Sequence, residues 1–362
     1  MKHLKDLITL LAKPFFLFRK KAPLLSYITG RVIVMAFMLF LLGFAIFGLM
    51  ALVPGDIVNQ VMIQQLMSSS EGRAMATQME IGGEMAEAMR AELGLDQPFY
   101  IQYLRWVRQV VVYRDLGVSL ISRAPVSFLI GTRLVNSLIL NFTSLILITV
   151  FSFLLGVYFA SKAGTRADFA VTFFALALHA FPGILMLILL QLFAFRSGLF
   201  PVTAYPPFPF HYAPVRFVFS YAHHIFLPLL AAFLGGIGGT LRMIRGVMLD
   251  QLGQPYITSL RSRGIAEWRI YLVHAFRNTL NPFITSSANM LAGLFSGSLI
   301  LEIIFAYPGI GRLMFEAVMQ QDVNLVMANT MIISFLGLLG MVISDICLAL
   351  ADPRIRFGKE GA

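Results

Sequence analysis

Few residues with chemical reach lie inside the apolar stretches of this 362-residue chain. His179, three residues before Pro182, is the one histidine within such a stretch. An ionisable group in that position invites suspicion of a direct role, although a hydrogen-bonded helix-packing residue is the preferred reading. Asp345 sits about two turns before the end of the last apolar stretch, where an ion relay competes with an acid reaching polar neighbours at the boundary. A relay needs several such groups, so the structural reading is preferred. Glu302, near the outer end of the fifth stretch, is expected to face water. The other histidines are His3, His211, His223, His224 and His274, with His223-His224 at a span entry. Serines are plentiful, but none is singled out as a nucleophile. The sequence has no H-E-x-x-H and no G-x-x-x-x-G-K-[ST], so neither a zinc peptidase nor a P-loop ATPase is encoded. One cysteine, Cys347, excludes a disulfide scaffold and a multi-cysteine zinc site. No catalytic residue, metal or cofactor is therefore assigned.

The elements that must position these residues are membrane spans. Apolar residues make up 58% of the chain and charged ones 13%, about half the charge of a soluble domain. Six stretches are long and apolar enough to cross a bilayer, or nearly so: 32–53, 134–160, 169–195, 225–241, 283–305 and 325–350. The first carries no charge, and its 22 residues would rise about 33 Å. Its length and the preceding basic leader set it apart from a cleavable signal peptide. The fourth is short and glycine-rich around Gly235, Gly236, Gly238 and Gly239. Six spans place both termini on one side. Lysine and arginine number 18 on that side against 3 on the other once the long 54–133 loop is set aside. Both termini are therefore expected in the cytoplasm, and the net charge of +10 is a topological signal, with no need of nucleic acid.

Two segments depart from a plain bundle. The leader, residues 1–31, reads as a basic amphipathic helix on the membrane surface. The 54–133 loop carries Met62, Met67, Met75, Met79, Met85 and Met89; Met75 and Met79, then Met85, Met89 and Leu93, sit at helical spacing around Gly82-Gly83, which reads as the apolar face of short amphipathic helices in preference to a metal-binding cluster.

The cytoplasmic segment 242–281 is too long for a passive turn. Pro255 breaks a helix, Tyr256 to Arg263 can form a short new one, and Gly264 ends it. Helical periodicity resumes from Ala266 to Leu280, with Trp268, Leu272, Ala275 and Phe276 on one face and Arg269, His274 and Arg277 elsewhere. A short helix held between two spans suits docking onto a soluble partner. A solvated basic loop facing lipid headgroups is the equal alternative on spacing alone.

The run Tyr256, Ile257, Arg261, Arg263, Gly264, then His274, Arg277, Asn278 and Pro282, resembles the cytoplasmic "EAA" loop of ATP-binding-cassette importer permeases. It is most similar to the dipeptide/oligopeptide/nickel group. Other stretches agree in order: Pro54-Gly55-Asp56, Leu93 to Trp106, Asp115-Leu116-Gly117, Glu302 to Phe305 with Pro308-Gly309-Ile310-Gly311-Arg312, and Asp345 with Asp352-Pro353-Arg354-Ile355-Arg356. Thr258-Ser259-Leu260 replaces the literal Glu-Ala-Ala, and Arg114 stands where the family usually has glycine.

The resemblance implies an all-α polytopic membrane protein with six transmembrane helices, both termini cytoplasmic and a cytoplasmic coupling helix between spans four and five. Residues 134–350 would form a five-helix permease core behind the first span at 32–53, with a tail at 351–362. It implies a permease subunit of the bacterial or archaeal cytoplasmic membrane, carrying peptides or related small solutes. Its partners would be a second homologous permease, two ATPase subunits and an extracytoplasmic solute-binding protein. Coupling to the ATPase would fall to Tyr256, Ile257, Arg261, Arg263, Gly264, Glu267, His274, Arg277 and Asn278. Gly293, Gly297 and Ser298 would allow close helix approach along the pathway. The rival classes are a stand-alone secondary transporter and an intramembrane hydrolase.

Overall fold

A computed structural model describes residues 23–52, 97–280, 283, 294 and 298–351. All regular structure among them is helical: α1 Pro23–Leu52, α2 Phe99–Tyr113, α3 Val126–Ser161, α4 Arg166–Ala180, α5 Gly183–Ser197, α6 Pro214–Leu252, α7 Pro255–Ser262, α8 Glu267–Arg269, a π-helical turn Ile270–Ala275, α9 Phe276–Thr279, α10 Leu299–Ile304, α11 Ile310–Met319 and α12 Val323–Ala351. The chain divides into one unit of residues 1–131 and 314–362 and a second of residues 132–313.

Four helices are long and apolar enough to cross a membrane: within α1, α3, α6 and α12. The pair α4–α5 passes the same test only as two pieces bent by 94°. The uninterrupted third span expected from the sequence is thus broken at Phe181-Pro182. Pro182 supplies no N–H to continue the α4 ladder and forces extended backbone on Phe181, at φ −72° and ψ 131°. Most of the expected fifth span, the methionine-rich stretch, leader residues 1–22 and the tail beyond Ala351 lie outside the described residues, while leader residues 23–31 belong to α1, which starts before the expected 32–53 span.

In the first unit, Phe40, Phe44 and Phe47 recur along one face of α1 and set their rings 5.4–5.9 Å from Tyr103 of α2. Gly43 leaves room for that ring, and the Tyr103 hydroxyl donates to the Phe40 carbonyl at 2.7 Å. After α2 the chain turns through Arg114, at φ 53°. A left-handed residue there explains why glycine suits the position. Asp115 secures the turn by accepting from the Gly117 N–H and from Gln109, both at 2.9 Å. These bonds, the backbone one foremost, hold its carboxyl below the usual range. Asp322, buried, caps α12 through the Leu325 N–H and accepts the Ser119 hydroxyl at 2.5 Å.

The second unit has buried clusters along its length. One gathers Leu140, Ile225, Leu227, Phe305 and Tyr307. A second joins Ala175 of α4 to Ile237 and Leu241 of α6. A third gathers Val157, Ala160, Met248, Ile257, Ile270 and Ala275. The α6 helix runs through all three. It extends well past both ends of the 225–241 apolar stretch, so Arg242 and Arg245, read from sequence as loop residues, are helical.

Candidate functional site

The segment that the motif singled out begins where α6 ends. Gln251 and Gly253 close the last turn of α6, and Pro255 opens α7 at a position where its missing N–H costs nothing. The helix lasts eight residues. Gly264 then adopts φ +74°, the left-handed exit expected of a glycine after a helix. Its N–H returns to the Arg261 carbonyl at 2.9 Å and the Ile265 N–H to Leu260 at 3.2 Å.

One side chain anchors α7. Ile257 is fully buried in the cluster with Met248 of α6, Ala160 of α3 and Ile270 and Ala275 beyond the turn. A polar thread runs beside it: Asn278 donates to the Tyr256 hydroxyl at 3.1 Å, and that hydroxyl donates to Gln251 at 3.1 Å. Motif residues 22 positions apart therefore meet, tying α7 to the helices before and after it. Thr279 adds a buried contact to Met248 at 3.4 Å. The outward face is cationic and exposed. Arg261 forms a bidentate pair with Glu267 at 2.7 and 3.2 Å, which keeps the Glu267 carboxyl below its usual range. Arg263 and Arg277 are exposed and His274 is half-buried.

The 266–280 stretch differs from a regular helix. Ile270–Ala275 forms a π turn, which inserts a residue into the helical phase. Consequently Ile270, Ala275 and Thr279 face the core, while Trp268 and Leu272, expected on the apolar face with Ala275, are exposed. Those two, with Phe276, line one wall of an apolar cavity of about 660 Å³, whose other wall is Phe153, Val157 and Tyr158 of α3.

Two polar centres brace this unit; the sequence reading missed the first and misread the second. Arg245 of α6 grips Asp168 of α4 with two hydrogen bonds, 2.6 and 2.7 Å. Asp168 is buried and also accepts from the Gly164 N–H at 3.0 Å, while Thr165 caps α4 through the Asp168 N–H. The Thr165-x-x-Asp168 pattern at a helix start was the available signal.

The second centre is Glu302, which is 0% exposed, contrary to the expectation that it faces water. One carboxylate oxygen accepts the Ser137 hydroxyl at 2.7 Å and the Ser298 N–H at 3.3 Å. The other accepts the Arg312 N–H at 2.8 Å. Ser137 in turn receives the Ile310 N–H at 2.8 Å, so an acid and a hydroxyl satisfy the opening turn of α11. A Cβ on Gly309 would collide with the Glu302 carboxylate, and one on Gly311 would stand 3.0 Å from it. The Pro308–Arg312 motif is thus a backbone cradle for that acid. Tyr307 completes it: its hydroxyl donates to the Asn136 carbonyl at 2.7 Å, and Asn136 donates to the Pro308 carbonyl at 2.9 Å.

Nothing in this arrangement resembles a catalytic constellation. Among the described residues, no group of three histidine, cysteine or acidic side chains could hold a metal ion. What the geometry offers is a short, stiff, outward-facing helix locked to apolar spans. That defines a class: a multi-pass helical membrane protein with a surface element fixed to its core.

Comparison with known proteins gives the family. Residues 152–357 match the family described as binding-protein-dependent transport system inner membrane component. The chain is 33% identical over 296 residues to an oligopeptide transport system permease protein of Bacillus subtilis, covering 81% of this chain and 92% of that one. It is 27% identical over 335 residues to a glutathione transport system permease protein of Escherichia coli, covering 92% of this chain and 100% of the relative. The chain belongs to the binding-protein-dependent transport system inner membrane component family.

Proposed function

We propose that this chain is one permease of an ATP-driven peptide importer and that α7 is its coupling helix. The observation that carries the reading is the seat of α7: eight residues anchored by buried Ile257 and the Tyr256–Asn278 bond, with a cationic face turned outward. The relatives' names, oligopeptide and glutathione transport system permeases, support peptides as the solute class. The partners in this reading are a second homologous permease, two ATPases and an extracytoplasmic solute-binding protein.

The topology proposed is six spans with both termini cytoplasmic. Four described helices and the bent α4–α5 pair account for five, and the apolar 283–305 stretch for the sixth. In this reading residues 1–31 are a cytoplasmic leader whose end runs into α1, 54–133 an outer loop whose end opens α3, 134–350 the permease core and 351–362 a cytoplasmic tail.

Mechanically, closure of the ATPases presses on α7. Because Ile257, Tyr256 and Asn278 tie α7 to its neighbours, that push reaches α6 and the 266–280 segment as a rigid displacement. Arg263 offers an unburied guanidinium to an acidic or carbonyl-rich groove, while Glu267 fixes the orientation of Arg261.

Gly264→Arg is the test. Space around Gly264 is open, so the substitution strains the left-handed turn by about 1–2 kcal/mol without a clash in the core. The assembled complex should form in normal amount and lose substrate-stimulated ATP hydrolysis. Normal stimulation in that variant would overturn the assignment of α7.

A further inference from the structure

In the six-span reading, the break in the third span falls within the apolar layer. Asp168, paired with Arg245, marks one end of α4, and 13 residues of helix carry the chain about 20 Å from it to Phe181. The hydrocarbon layer is about 30 Å thick, so the break lies well inside it. At that point the chain leaves helical geometry and turns by 94°. The helix ends on either side, the last carbonyls of α4 and the first N–H groups of α5, have no partners within their own helices.

The side of α4 that packs is also defined. Ala175 and the His179 backbone approach Gly238, and the His179 ring lies against Gly239, where a Cβ would stand 3.2 Å from its Nδ1. The imidazole is nevertheless exposed, as are Ala180, Phe181, Pro182 and Gly183. An ionisable ring and irregular backbone at this depth are not tolerated against lipid. They persist only where protein covers them or water reaches them.

We propose that the Ala180–Gly183 break, with His179 on its rim, lines the water-filled solute pathway. This rests on the permease reading and adds to it a specific lining element and a polar side chain that a passing peptide meets. His179 is then a pathway residue: its ring lies beside Gly239, where the absent side chain leaves it room, and the residue is exposed.

Cysteine accessibility in the full importer complex tests this directly. The sole cysteine allows a clean background, Cys347→Ser, carrying Ala180→Cys at the break or Phe174→Cys on the exposed outer face of α4. A charged, membrane-impermeant methanethiosulfonate reagent is applied to proteoliposomes without nucleotide and after vanadate trapping with ATP. The expected result is labelling at position 180 at least tenfold faster than at 174, with a rate that changes between the two states. Reaction at 180 no faster than at 174 in both states, in a complex that still transports and whose denatured chain labels fully, would overturn the inference and leave the permease reading standing. Failure of the parent chain to assemble with ATPase subunits would strike the permease reading instead. Should Ala180→Cys not assemble, Phe181→Cys is read by the same criteria.

Discussion

Glu302 and Glu267 are the same side chain put to opposite uses. Glu302 is sealed in the protein and receives two backbone N–H groups and a hydroxyl. Glu267 lies on the surface, 51% exposed, and holds the guanidinium of Arg261 and the hydroxyl of Tyr271. The first organises the fold around itself: two glycines are absent of side chain so that the backbone can close on it. The second orients one arginine and is replaceable without structural loss. Burial, and not charge, separates them. A buried acid stripped of its partners, or partners stripped of their acid, leaves unmet polar groups in a low-dielectric interior. An exposed pair exchanges its bonds for water at little cost.

Glu302→Ala should orphan the Ser137 hydroxyl and the Ser298 and Arg312 N–H groups, costing about 3–5 kcal/mol. The chain should fail to accumulate in the membrane, or melt far below the parent in a detergent thermal-shift measurement. Parental stability would mean that the cradle does not depend on the acid. Asp168→Ala is the intermediate case, since Arg245 is 19% exposed and can find water once released. A loss of about 2–3 kcal/mol is expected by the same measurement, with Asp168→Ala/Arg245→Met recovering part of it. A double variant less stable than the single would refute the pairing.

At the small end, Glu267→Gln should cost under about 1 kcal/mol. Its pH dependence sharpens the contrast. The folded-state carboxyl of Glu267 is lowered by the Arg261 hydrogen bond, so its contribution is present above the unfolded carboxyl range and is lost as pH falls through the folded value. Acidification should therefore abolish the difference between parent and Glu267→Gln. A difference that grows on acidification would show another group at work.

How much of this was legible follows from the same physics. The short helix α7 was readable because local rules govern it: Pro255 starts it and Gly264 stops it, each by backbone restrictions that any chain would feel. The Tyr256–Asn278 bond was not, although both residues stood out, because meeting depends on how α7 folds back. Glu302 was misread from its place near a span end, where water is the default neighbour. The two glycines of Pro308–Arg312 were the clue that backbone would close on something. Arg245 was counted as a loop charge since the apolar stretch ends at Leu241, yet a helix has no need to stop where hydrophobicity does. The π turn is invisible to a 3.6-residue period, which is why Ala275 was grouped with Trp268, Leu272 and Phe276: those three share a face along the cavity, while Ala275 turns to the core. At Pro182 the residue was noted and its effect on the span was not drawn.

Helices α4 and α6 are joined at two levels. Arg245 grips Asp168 at one, and Gly238, seven residues earlier and about 10 Å along the axis, lies against Ala175 and the His179 backbone at the other. A single attachment would leave a hinge, about which one helix could swing past its neighbour. Two attachments act like two rivets in a strap: the pair can shift or tilt together, but α6 cannot turn without taking α4 with it.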